Sequence, residues 1–133
     1  MADDDWMAKY WGSVAEGLLQ FGVRFRDAPL LRGMMEKAGF INITERVFFT
    51  PIGPWPKNRA LKEVGLYWRA VLMEGLEAIA LAPLTRGLGW EKPEVDVFCA
   101  KTRAAYLDKG THAYMPFYIL YGQKPYAPMP MHP

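Results

Sequence analysis

Two stretches of this chain alternate as strands do, and they stand far apart. "FINITERVFF", residues 40 to 49, puts Ile41, Ile43, Val47 and Phe49 on one face and Asn42, Thr44 and Arg46 on the other. Period two with β-branching predicts a strand with one wet face. "HAYMPFYILYGQKP", residues 112 to 125, sends Tyr114, Tyr118 and Leu120 one way and Met115, Phe117, Ile119 and Tyr121 the other. Both faces are apolar, so this strand calls for cover on both sides. Pro116 has no N–H to give a ladder, which places it at an edge or a bulge. Two strands by themselves make a marginal sheet in water. If they pair, their open edges want a further partner, and that missing partner constrains the fold more than any other feature.

Helical periodicity fills the rest. Trp6, Tyr10, Val14, Leu18 and Phe21 recur at spacings of three and four and predict a helix over 5–24, with Asp3, Asp4 and Asp5 suited to its N-terminus. Asp27 is placed to cap a second helix that runs to about residue 38 and stops at Gly39. After the first strand comes "TPIGPWPKN", residues 50 to 58, a stiff corner whose prolines Pro51, Pro54 and Pro56 end the strand. Asn58 then caps a long helix over 59–81, with Leu61, Val64, Trp68, Leu72 and Ile79 on one stripe. Gly65 and Gly75 weaken that helix and mark close approaches. Pro83 breaks the run, "LTRGLGW" reads as a short turn, and a last helix over 93–108 lines up Val95, Phe98, Thr102 and Tyr106. The residues after 125 read as a polyproline-type tail, leaving residues 1–125 as a single domain.

Composition narrows the function classes. Half of the 133 residues are hydrophobic, more than a small domain hides, so apolar surface is left for a ligand or another subunit. The net charge is +2 with no basic block, which argues against nucleic acid. One cysteine, Cys99, excludes an internal disulfide framework, and the acidic N-terminus does not read as a signal peptide. No apolar run is long enough to span a membrane. The expectation is a soluble cytoplasmic domain, and the Met at position 1 leaves open both a stand-alone product and a piece of a longer protein.

The order "LLRGMMEKAGFINI", "PIGPWPKNRALKEVG", "LEAIALAPLTRGLGW", "THAYMPFYILYGQKP" resembles the C-terminal third of class I S-adenosylmethionine-dependent methyltransferases, specifically the fungal group tied to secondary-metabolite clusters and their regulators. The resemblance covers residues 11 to 125. It implies an α+β fold, mostly helical, with a two-stranded antiparallel hairpin that forms the last two strands of a methyltransferase-like sheet. A helical lid insertion interrupts the hairpin, the proline corner starts the lid, and Trp55 plugs its base. A second copy of the chain, pairing through the strand edges as a homodimer, would complete the sheet. The cofactor-binding half of such a fold has no counterpart here: the only G-x-G run, at 87–89, follows a helix rather than a strand. The expectation is therefore a truncated methyltransferase-like domain without a cofactor.

Few residues are equipped for chemistry. His112 opens the second strand, and a histidine there serves either as a general acid or base or as a structural tie between strand and helix. Tyr114, on the same face, could donate a hydrogen bond to a substrate carbonyl or could simply pack. Glu63 shares about 60° of helix surface with Glu74 and Glu77, either as a base set in a pocket or as a solvated face. Trp55, Tyr67, Trp68, Arg69 and Tyr118 are the candidate substrate wall. Cys99 reads as a small buried apolar group, and two histidines without a Cys/His cluster make a metal site a poor fit. Two functions follow. One is a cofactor-independent cyclase or isomerase acting on an apolar natural-product intermediate through orientation and polarisation. The other is a non-catalytic subunit that pairs with and regulates a full-length methyltransferase or regulator.

Overall fold

A computed structural model of the chain describes residues 5–126. In chain order these form α1 (Trp6–Leu19), a 3₁₀ turn (Ala28–Leu30), α2 (Leu31–Lys37), β1 (Ile41–Ile52), α3 (Arg59–Ala82), a π turn (Pro83–Gly87), α4 (Lys92–Leu107) and β2 (Ala113–Gln123). The two strands pair with each other in one antiparallel sheet, which makes the fold α+β. The chain divides into two compact units. One comprises Met1–Arg26 and Phe49–Met115; the other comprises Asp27–Phe48 and Pro116–Pro133.

The first unit holds the core. The Asp5 side chain caps α1 by accepting from the Ala8 N–H at 3.0 Å, while Asp3 and Asp4 lie outside the described residues. Tyr10, Val14 and Gly17 form the buried line of α1. The helix ends at Leu19, so Phe21 falls beyond it and stays exposed. Gly17 is required where it stands, because a Cβ there would collide with the carbonyl of Pro83. Asn58 caps α3 as its position suggests, accepting from the Leu61 N–H at 3.1 Å. The buried line of α3 differs from the expected stripe: it is Gly65, Leu72, Leu76 and Ala80, and Leu61, Val64 and Ile79 are exposed. The helix is rotated toward its small residues because these admit the closest neighbours. Pro83 does not break the run. It has no N–H for the next α-helical bond, and the backbone widens into the π turn, where the Leu88 N–H reaches the Pro83 carbonyl at 3.1 Å. On α4 the expected line is the observed one, with Val95, Phe98, Thr102 and Tyr106 all buried together with Cys99. Hydrogen bonds tie the helices: Tyr10 Oη donates to the Leu76 carbonyl at 2.6 Å, Trp11 Nε1 donates to Tyr106 Oη at 2.9 Å, and Arg103 Nη2 donates to the Met73 carbonyl at 3.5 Å.

The second unit is built differently. Asp27 makes no side-chain capping bond, and the segment after it is a 3₁₀ turn before the short α2. Gly39, at φ +93°, ends that helix region as expected. At the far end of the ribbon Asn42 Nδ2 donates to Gln123 Oε1 at 2.9 Å, which fixes the strand register there. None of the described residues of this unit is fully buried.

β1 departs from the expected pattern in two ways. It continues through Pro51 to Ile52, and its last residues, Thr50 to Ile52, are its most buried. The alternation also fails to hide Ile41, Val47 and Phe49, all of which face solvent.

Candidate functional site

The proline corner of the first unit is where the sequence-identified residues converge. Gly53, at φ +95°, turns the chain out of β1 and donates its N–H to the carbonyl of Gly65 at 2.8 Å. A side chain on Gly65 would collide with the Gly53 carbonyl, so the corner lies directly on the backbone of α3. Gly75 serves no such contact between elements; the nearest atom to a Cβ there is Ile79 Cδ1 of the same helix, at 3.1 Å.

Trp55 projects from this corner toward the start of β2. Its Nε1 donates to the Ala113 carbonyl at 2.8 Å, and its ring stacks on His112 with centroids 5.1 Å apart and planes 11° from parallel. One side chain thus joins the corner to the second strand by a hydrogen bond and a stacked face. The stiffness of the corner holds that indole in place. Arg69 lies along Gly53, its Cδ 3.8 Å from the position of a Cβ there. Next along β2, Tyr114 meets Phe49 edge to face at 5.4 Å, and both remain mostly exposed, at 58% and 67%.

The other candidates are exposed or half-buried. Tyr67 is 68% exposed on α3, and Glu63 is exposed on the same helix. Trp68 and Arg69 are half-buried. Tyr118 belongs to the second unit, where it is half-buried. Of the other two α3 acids, Glu77 lies 3.7 Å from Arg103 and Glu74 is exposed.

The titratable groups that are perturbed lie in the helical core. Burial pushes the Tyr10 hydroxyl far above its ordinary value, with the neighbouring Cys99 and Tyr106 adding to the shift. Burial likewise raises the Cys99 thiol, Glu77 adds to this, and Arg103 opposes it. Tyr106 is raised by burial and partly offset by the bond from Trp11. These groups are protonated and packed, which suits structure rather than chemistry. Sequence reasoning missed the Tyr10 and Trp11 bonds, because nothing in a helical stripe shows which carbonyl or hydroxyl will stand opposite.

The site thus belongs to an α+β chain whose two paired strands are separated in sequence by a proline corner and a long helix. Comparison with known proteins gives it a context. The chain is 33% identical over 123 residues to "Methyltransferase pytC" of Aspergillus terreus, an alignment covering 92% of this chain and 38% of that protein. It is 34% identical over 94 residues to "Probable methyltransferase tdiE" of Emericella nidulans, covering 71% of the chain and 30% of the relative. "Secondary metabolism regulator LAE1" of Cochliobolus heterostrophus is 29% identical over 123 residues, covering 92% and 40%. The chain is thus homologous over most of its length to part of a methyltransferase-like family of fungal secondary metabolism. It spans less than half the length of these relatives. No family model matches it, and no solved structure does. Among the described residues no helix is long and apolar enough to cross a membrane.

Proposed function

We propose that this chain is a sheet-completing accessory module of secondary metabolism, which docks its β1–β2 ribbon against a methyltransferase-like chain and modulates it. The observation that carries the reading is the ribbon itself. It consists of two strands, and Ile41, Val47, Phe48, Phe49, Phe117, Ile119 and Tyr121 along it are all exposed. A two-stranded sheet with this much apolar surface is marginal in water. Its homology to part of a methyltransferase-like family supplies the kind of sheet that such a ribbon fits. The corner and α3 then lie at one end of the completed sheet, held by Gly53, Gly65 and Trp55. That role needs no reaction on this chain, which agrees with His112 being stacked on an indole and Glu63 being solvated.

The cyclisation chemistry considered from sequence has no comparable support. The three relatives named above are methyltransferases or a regulator by description. Of its residues, Glu63 is exposed on α3, His112 stacks on Trp55, and Tyr114 packs edge to face on Phe49.

The reading is tested by co-expressing the full chain with a full-length methyltransferase of the pytC type and measuring mass by light scattering after size exclusion. The expected result is a stoichiometric complex in which the ribbon amides gain protection from hydrogen exchange. A monodisperse monomer that ignores the methyltransferase, with the ribbon amides protected before mixing, overturns the proposal. A stable homodimer that leaves no capacity for the methyltransferase overturns it too, and favours pairing of the strands between copies.

A further inference from the structure

Each strand of a two-stranded sheet has one neighbour and one open side, so a docking ribbon has two edges to offer. The choice between them rests on the docking role proposed above. Within the second unit the edges belong to residues 41–48 of β1 and 116–123 of β2, and they are armed differently.

β1 is defended. Asn42 holds φ +51°, in the left-handed region, where an antiparallel strand residue stands near −140°. That kinks the outer margin at its start, as a bulge does. Glu45 and Arg46 follow, and because neighbours in a strand point to opposite faces, each face of β1 carries a charge. A strand laid beside β1 would have to cover or pair both. Kinks and charges of this kind keep an edge from taking up another strand.

β2 has one such device in this unit, Pro116. From residue 118 to 123, "YILYGQ", it has no charged side chain and no residue of positive φ. Alternate residues of an antiparallel strand turn both backbone groups outward, so about three of these six offer an N–H and a carbonyl to a third strand. The faces flanking this edge are unequal. A Cβ on Gly122 would stand 3.0 Å from Met35 Cε of α2, and Tyr118 and Leu120, on the same face, are half-buried. On the other face Ile119 and Tyr121 are exposed, at 41% and 54%.

We infer that β2, not β1, is the joining edge: residues 118–123 take up, by backbone pairing, an uncharged apolar strand of the methyltransferase-like chain, and β1 is left as the margin of the enlarged sheet. The relatives have the length to supply that strand, since the parts that match this chain are 38% of one and 40% of another, and more than half of each lies outside. An apolar strand fits because an ionised group laid beside Ile119 and Leu120 would lose water without gaining a counter-charge.

The test is residue-resolved hydrogen exchange on the full chain, free and in complex with a full-length methyltransferase of the pytC type. In the free chain alternate amides among residues 118–123 should exchange fast. In the complex those amides should slow by about tenfold or more, while the amides of residues 43–47 keep their free-chain rates. Two matched variants give a second readout, because Ile119 and Val47 are similarly exposed, at 41% and 38%. Ile119→Lys should weaken the complex by about tenfold or more, and Val47→Lys by less than about threefold. A complex that protects β1 instead of β2, or neither edge, overturns the choice of edge and leaves the docking role standing. So does a complex in which Val47→Lys does the greater harm. If no complex forms at all, the docking role fails first and the joining edge with it.

Discussion

The two units of this chain use similar residues and reach different ends. In the first, Tyr10, Val14, Leu76, Leu84, Val95 and Cys99 are sealed from water. In the second, Leu30, Met34, Phe40, Val47, Phe48 and Ile119 are just as apolar, and all are exposed. Composition does not make the difference. α1, α3 and α4 each place an apolar line where another helix can meet it, and Gly17 and Gly65 let backbones touch. Among its described residues the second unit has a 3₁₀ turn, one short helix and two half-strands, too little to enclose anything. Burying a large apolar side chain is worth about 1.5–3 kcal/mol, so covering four of the exposed ones offers about 6 kcal/mol or more before ordering costs. The first unit is a folded core; the second is a surface that gains most from being covered.

The sharpest way to break this contrast is to cut into the core. Leu76→Ala removes a fully buried side chain and should cost about 3 kcal/mol, read from the urea midpoint with the m-value unchanged. Gly65→Ala should cost a similar amount, about 3 kcal/mol, because the new methyl strikes the Gly53 carbonyl. It should also expose Trp55 to fluorescence quenching as the corner lifts from α3. A wild-type midpoint in either variant would mean that the first unit is not the stable one.

Smaller effects come from the polar ties. Tyr10→Phe leaves the Leu76 carbonyl without its donor and should cost about 1–2 kcal/mol in the same assay. Alkali probes the same packing without mutation. The Tyr10 and Cys99 values are raised in the folded state, so each group's contribution is fully present below its unfolded value, near 10.0 for the tyrosine and 9.0 for the thiol. It is lost as pH rises, because the unfolded chain sheds protons that the folded chain keeps. The urea midpoint should therefore fall between pH 8.5 and pH 11. Tyr10→Phe and Cys99→Ala should each flatten that fall. A midpoint that climbs over this interval would contradict the burial of both groups.

What could be read from the sequence was what is decided locally. The Asn58 cap, the stop at Gly39 and the α4 line of Val95, Phe98, Thr102 and Tyr106 needed only neighbours along the chain. The buried line of α3 did not follow from hydrophobicity, since Val64 and Ile79 fit the stripe better than Gly65 and Ala80. Close approach, not greasiness, chose the face, and close approach depends on what packs there. β1 failed for a related reason. Alternation tells which residues share a face, but not whether anything will cover it. At the site, the corner singled out Trp55, whose Nε1 reaches the Ala113 carbonyl. That its ring would stack on His112 is a long-range contact that no spacing encodes.

The smallest expected effect on stability carries the most information about the second unit. Phe48→Ser and Ile119→Ser alter side chains already in water, so each should move the stability of the isolated chain by no more than about 0.5 kcal/mol. By contrast, Leu76→Ala should lower the midpoint of the core itself and is no specific probe of docking. If the ribbon is a docking surface, the double variant should keep the wild-type urea midpoint and the indole signals of the first unit. It should still lose the complex with a methyltransferase-like chain. The Phe48 and Ile119 substitutions leave the strand backbones intact, so a loss of binding would assign the affinity to the apolar faces. Retained binding would shift the weight to the unpaired strand edges, which Asn42 and Gln123 hold in register at one end. A large drop in the midpoint of the isolated double variant would show that these side chains are already covered, and the difference between the two units would disappear.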